Sequence, residues 1–257
     1  MKKYELTDET IKSNSGVTLH RIKALKDIPE IGVTTGDLGG FIEKEENLSH
    51  RENCWVYGDA HVSGNARVYG DAHVSGNARV YGDAQVSGNA WVSDGAQVYG
   101  DAQVYGDAWV YGDAWVYGNA RVYGNAHVSG NARVFGNARV YGDARVSGDA
   151  HVFGDARVSG NARVSGNARV SCNARVSGNA RVYNNSDILT ISNIGSRGDT
   201  TTFFKCDNDG IKVKCGCFLG TIDEFEDAVE QTHGDNKYGR QYKLAIELAK
   251  VSIDTNT

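Results

Sequence analysis

The chain holds 257 residues, 23% of them charged, with 32 glycines, one proline and a formal net charge of −5. Its glycines recur at fixed intervals, which excludes flexible low-complexity sequence. Five scattered cysteines, an odd number, exclude a disulfide framework and favour a reducing compartment.

Met1-Lys2-Lys3-Tyr4-Glu5 opens a polar segment with no apolar core behind it, and no run of about 18 apolar residues occurs in the sequence. The expectation is a soluble cytoplasmic protein. Residues 1–53 have mixed composition and read as a small N-terminal cap. Lys3 to Thr7 and Val17 to Leu25 suit two strands around the turn Asn14-Ser15-Gly16. Next comes Gly36-Asp37-Leu38-Gly39-Gly40-Phe41-Ile42. Its glycine pair lacks both the lysine of a phosphate loop and the spacing of a dinucleotide site, so a tight approach to the first coil is expected. Ile42 and Leu48 stand six residues apart, and the longer step from Leu48 to Val56 predicts a small bulge where the repeat begins.

The repeat fills 54–194. Val stands at position 56 and at every sixth residue through Val182, 22 times in all, and Ala recurs in step from Ala60 to Ala180. The unit reads Val-(Tyr/Ser/Phe)-Gly-(Asp/Asn)-Ala-x. Three residues around Val suit a short strand with Val facing one way and its neighbours the other. The Gly-Asn or Gly-Asp pair turns the chain, and Ala is small enough to sit inside beside Val. The phase carries on past the obvious repeat, with Ile188 and Ile194 in the Val position and Ser186 and Ser192 in the Ala position. Ser93-Asp94-Gly95-Ala96 swaps the corner order and Cys172 replaces a corner glycine; both read as drift. Each Val gains about 1.5–3 kcal/mol on burial against about 1–2 kcal/mol of backbone entropy per ordered residue. One coil alone is therefore unstable, stacked coils share interfaces, and both ends need covers.

This pattern resembles the hexapeptide-repeat family, over about half of the chain. The resemblance implies an all-β solenoid, a left-handed parallel β-helix with three hexads per coil, and hence seven to eight coils in a rod about 35 Å long. The order of motifs from Gly36 to Val56 is similar to that of bacterial and prophage members often labelled acyltransferases. Such enzymes present a catalytic His on a loop that interrupts the coils, usually at a trimer interface, and need a CoA cleft between subunits. Here the hexads run from Val56 to Val182 without an inserted loop, and His61, His73, His127 and His151 fall on separated levels. No cofactor is implied. Whether the chain is an enzyme stays open, with a non-enzymatic role expected and hexapeptide-type acyltransfer as the alternative.

Three hexads per coil stack residues 18 apart, which deals the x positions onto three sides. The first carries Trp55, His73, Trp91, Trp109, His127, Arg145, Arg163 and Arg181. The second carries His61, Arg79, Gln97, Trp115, Arg133, His151 and Arg169. The third carries Arg67, Gln85, Gln103, Arg121, Arg139, Arg157 and Arg175. All four Trp lie in this outward column. Beyond Val, Tyr81, Tyr99, Tyr117, Phe135 and Phe153 form an aromatic ladder on the second side, and Tyr105, Tyr123 and Tyr141 a shorter one on the third. Such ladders protect the solenoid's flanks, and they also suit an interface. Charge is polarised along the axis: residues 55–120 hold two Arg against seven Asp, and residues 121–183 nine Arg against three Asp. Three readings stand for the Arg ladder. Facing Asp and solvent screen it, or the basic half pairs with the acidic half of another copy, or it binds a polyanion such as nucleic acid with Tyr123 and Tyr141 as stacking partners.

Residues 195–257 read as an α+β (ββαα) module. Thr200 to Lys205 and Ile211 to Cys217 suit a hairpin across Asp207-Asn208-Asp209-Gly210. Thr221-Ile222-Asp223-Glu224 is a capping box opening a helix through about Thr232, with Phe225 and Val229 on one face. A second helix runs from about Lys237 to Val251, with Tyr242, Ile246 and Ala249 inward. The module resembles tails on phage-borne hexapeptide proteins. Cys206, Cys215, Cys217 and His233 are either a zinc candidate or, for the cysteines, a reduced, buried cluster. The function expected is a self-associating phage or prophage scaffold, a dimer or trimer. It engages a host macromolecule, such as a defence factor, through Trp91, Trp109, Trp115, the Tyr81–Phe153 ladder and the Arg columns.

Overall fold

The structure, a computed structural model, describes residues 2–206 and 210–253. Its body is the expected β-solenoid of parallel strands. Trp91 pairs with Trp109, Gln97 with Trp115 and Gln103 with Arg121, so each strand lies one coil before its neighbour. The first side is an eight-stranded sheet from Trp55–Val56 to Arg181–Val182, and the third a seven-stranded sheet from Arg67–Val68 to Arg175–Val176. The second runs from His61–Val62 to Arg169–Val170 and is extended by the N-terminal cap into a ten-stranded sheet. Every Val from Val56 to Val182 and every Ala from Ala60 to Ala180 is buried, and these two residue types fill the interior.

Corners set the sequence of the repeat. At Gly118, φ is +67° and an added Cβ would stand 3.2 Å from the amide nitrogen of Gly136 in the next coil. A side chain there meets both left-handed backbone strain and the next coil. The corner departures are not drift. Asp94 takes φ 58° and its carboxylate accepts a hydrogen bond from the Gly112 amide at 3.1 Å. Glu52 does the same in the first coil, with φ 56° and a 2.8 Å bond from the Gly70 amide. In both, the crowded approach becomes a charge-assisted hydrogen bond. Cys172 follows Arg169–Val170, the last strand of its side, so no further corner stacks on it.

β1 (Tyr4–Lys12) and β2 (Thr18–Ala24) are antiparallel, β2 pairs with β3 (Leu38–Ile42), and β3 joins the second side in parallel through Phe41–His61 and Ile42–Val62. Cβ atoms on Gly39 and Gly40 would come 2.6 Å from the carbonyl oxygens of Val56 and Ala60, the expected tight approach. Leu48 bridges Val68, so Ile42, Leu48 and Val56 make the first coil and the extra residues form a bulge at 49–53. Trp55 departs from expectation: it is 1% exposed, because the cap covers it with Tyr4 edge-on at 6.2 Å. Lys3 is also buried, its ammonium donating to the Cys54 carbonyl at 2.7 Å, and desolvation pulls its pKa down.

At the far end the hexad phase stops sooner than expected. Ile188–Ile194 is one antiparallel strand paired with Asp199–Cys206, followed by Gly210–Cys215 and Phe218–Thr221 in a four-stranded sheet. After Tyr183 no Gly-Asn corner follows; a 3-10 turn at Asn185–Asp187, its Asp187 carboxylate accepting from the Tyr183 amide at 2.7 Å, leads into the extended strand instead. A bulge at Asn193, φ 60°, turns Ile194 toward the helices, whereas Ile188 packs on the solenoid. Phe204 and Cys206 close the solenoid core, and Phe203, Val213 and Cys215 on the other face receive α1 (Ile222–His233) and α2 (Lys237–Ser252). The capping box at Thr221 is present, and Phe225, Val229, Tyr242, Ile246 and Ala249 are buried as the helical spacing predicts. Of the expected turn, 207–209 lies outside the described residues. Among the described residues no helix is long and apolar enough to cross a membrane.

The corner geometry predicts that Asp94→Ala lowers stability by about 1–3 kcal/mol in urea unfolding, from strain plus a lost charge-assisted bond. Asp94→Gly is expected to change it by under about 0.5 kcal/mol, since glycine relieves the φ strain. Equal losses in both would contradict this account of the corner.

Candidate functional site

The in-register stacking turns the predicted residues into continuous columns, but on different sides. Trp91 and Trp109 lie on the first, 39% and 44% exposed, with rings stacked at 5.5 Å. His73 stacks below Trp91 at 4.6 Å and His127 above Trp109 at 5.7 Å, so the two indoles are enclosed along the axis by imidazoles. Trp115 stands apart on the second side. It is edge-on to Tyr99, and the Arg133 guanidinium sits 5.0 Å over its ring, a cation–π contact. Tyr81, Tyr99, Tyr117, Phe135 and Phe153 form an unbroken stack with centroids 4.8–5.0 Å apart and planes within 3°. Tyr105, Tyr123 and Tyr141 repeat this on the third side at 4.9 and 5.0 Å.

This geometry bears on what the rings offer. Within each ladder neighbouring rings cover one another's faces, and only the outer faces of the end rungs are left without an aromatic neighbour. A base has no room to insert between Tyr123 and Tyr141, whose centroids are 5.0 Å apart, so a stacking partner on that pair is limited to the outer face of Tyr141, where the next coil holds Ser159.

The Arg residues divide likewise. Arg145, Arg163 and Arg181 are in register on the first side. Arg121, Arg139, Arg157 and Arg175 are in register on the third. Facing Asp does not neutralise them. The three corner Asp of the basic half instead accept from Asn one coil below: Asn125 to Asp143 at 2.9 Å, Asn131 to Asp149 at 2.9 Å and Asn137 to Asp155 at 3.1 Å. Among the described residues, none of Arg121, Arg139, Arg145, Arg157, Arg163 and Arg175 has a carboxylate within 4.0 Å. Sequence reasoning missed this corner ladder, although adding 18 to each Asn position would have found it.

Burial holds His61, His73, His127 and His151 below the ordinary imidazole pKa, so they are neutral at pH 7. Among the described residues no loop interrupts the coils between Trp55 and Val182. The four-residue zinc candidate is split. Cys206 and Cys215 lie on opposite faces of the C-terminal sheet, because their strands present them to the solenoid and to the helices respectively. Cys215, Cys217 and His233 do line one cleft of about 400 Å³ with Tyr242. There the Cys215 thiol accepts from Thr201 at 3.3 Å and donates to the Tyr242 hydroxyl at 3.6 Å, and the His233 ring stacks on Tyr242 at 5.7 Å.

Comparison with known families places the repeat. The chain is similar to the family described as the YdcK beta-solenoid repeat at residues 60–76, 72–86, 84–100, 96–112, 102–118, 114–130, 126–142, 138–154, 156–172 and 174–186, together just under half its length. The repeat match and the stacked parallel strands thus agree on a repeat β-helix. No curated protein matches the chain.

Burial, then the hydroxyls of Tyr81 and Tyr117, push the Tyr99 hydroxyl up to about 12. In the unfolded chain a tyrosine titrates near about 10. The folded state therefore keeps its proton longer, and stability falls as pH rises through about 10 toward 12. Urea midpoints across that range are expected to drop in the parent chain and to drop less in Tyr99→Phe. An identical pH dependence in the two would contradict the assignment.

Proposed function

We propose that this solenoid is a non-enzymatic binding scaffold that holds an anionic host macromolecule along the basic coils of its third side. The observation that supports it is the run Arg121, Arg139, Arg157 and Arg175, in direct register with no carboxylate in ion-pair range among the described residues. Like charges about 5 Å apart repel by about 0.8 kcal/mol even in water. The fold has no need of them, since Val and Ala supply the core and the corners supply the turns. An anionic polymer laid along the rod relieves that repulsion over about 14 Å. Contact is through charge, with the tyrosine edges of Tyr123 and Tyr141 alongside, so recognition is of backbone charge and not of base sequence. Acyl transfer has no comparable observation in its favour.

Fluorescence anisotropy with single-stranded and duplex oligonucleotides and with heparin tests this reading. Four phosphate-type contacts predict an affinity loss of about 50- to 150-fold between about 50 and 200 mM salt. Changing Arg121, Arg139, Arg157 and Arg175 together to Gln should abolish both binding and salt slope. Equal binding by the quadruple variant would refute it. So would a salt-sensitive dimer that binds no polyanion, which would favour pairing of acidic and basic halves between copies.

A further inference from the structure

The second side carries a cleft that the Arg run does not explain. The turn at the tip of the β1–β2 hairpin leans over the early coils and encloses about 370 Å³, a volume in the range of small-ligand sites. Asn14 and Val17 form one wall; Glu43, Ser63, Arg79 and Tyr81 form the other. Three features converge there. Tyr81 is the terminal rung of the aromatic ladder: Tyr99 covers one face at 4.8 Å and 3°, while the position one coil below holds Ser63. One ring face is thus left without an aromatic neighbour, and it opens into the cleft. Arg79 is half-buried beside it and has no ion pair or side-chain hydrogen bond among the described residues. Glu43, the one carboxylate on these walls, already accepts from the Gly64 amide at 2.6 Å. His61 adds no positive charge at pH 7, since burial and then Arg79 lower its pKa.

We infer that this cleft binds a small planar aromatic anion, its ring stacked on Tyr81 as the missing rung over Ser63 and its carboxylate or phosphate paired with Arg79. The ladder's spacing leaves one ring's thickness at that level, and a guanidinium beside an aromatic face offers a bidentate partner for either anion. The site is independent of the third-side Arg column, and so is its test.

Indole-3-carboxylate, adenosine monophosphate and neutral indole-3-carboxamide would be titrated into the full chain by calorimetry and saturation-transfer NMR. At least one anion is expected to bind about 10- to 100-fold tighter than the carboxamide, and which one binds identifies the carboxylate or the phosphate. Arg79→Gln should erase that difference. Ser63→Phe, which supplies the rung from the protein itself, should abolish binding while leaving the melting temperature unchanged or raised; Tyr81→Ser removes the platform as a second route. Binding that survives Ser63→Phe or Tyr81→Ser, equal affinity for the carboxamide, or no binding of either anion would overturn the inference.

Discussion

At the corners from Gly64 to Gly160 the backbone of one coil lies almost in contact with the backbone of the next, and the rest of the molecule follows from that. A Cβ at Gly118 would reach the Gly136 amide at 3.2 Å, and the corner also demands left-handed φ. Glycine meets both conditions. Where it is replaced, as at Asp94, the carboxylate converts the approach into a hydrogen bond to the Gly112 amide. Because the corners stack without offset, so do the strands between them, and the interior reduces to columns of Val and Ala. No coil stands alone. The rod is stable only with its ends covered, by β1–β3 at one and by Phe204 and Cys206 at the other.

Stacking without offset also governs the exterior. In an ordinary sheet, neighbouring side chains differ and their charges cancel locally. Here a residue type, once repeated, becomes a row. Aromatic rows are self-satisfying, since each ring covers the next at about 5 Å. Asn and Asp rows at the corners satisfy one another by hydrogen bonds. Arginine rows have no such internal solution: guanidinium groups at this spacing repel, and the corner Asp are engaged elsewhere. A ladder is also informative where it ends, because its last ring has a face that nothing in the row can cover.

The body of this fold was legible because six and 18 are fixed by the sequence itself; Val56 to Val182 assign the core and the side of each outward residue. The ends were less so. Ile194 keeps the hexad phase, yet a strand has even periodicity too, and only the missing corner after Tyr183 and the bulge at Asn193 separate the two outcomes. Trp55 shares the outward column with Trp91 but lies under Tyr4, which belongs to no repeat. Cys206 and Cys215 looked like neighbours along paired strands, and strand parity sends them to opposite faces. At the candidate site the columns could be read by adding 18, including the Asn–Asp row that was overlooked. The cleft over Ser63 could not, because it depends on the angle at which the β1–β2 hairpin folds across the second side.

The central claim is that outward residues 18 apart form straight columns along a rigid rod. Its most direct test is a distance between two spin labels on the third side. With the exposed Cys172 and Cys217 changed to Ser, labels at Arg67→Cys and Arg175→Cys are separated by six coils, or about 29 Å. A single narrow distribution near that value is the predicted result. A broad distribution, or a mean displaced by more than about one coil spacing of 4.8 Å, would contradict it and remove the basis for reading the surface as columns.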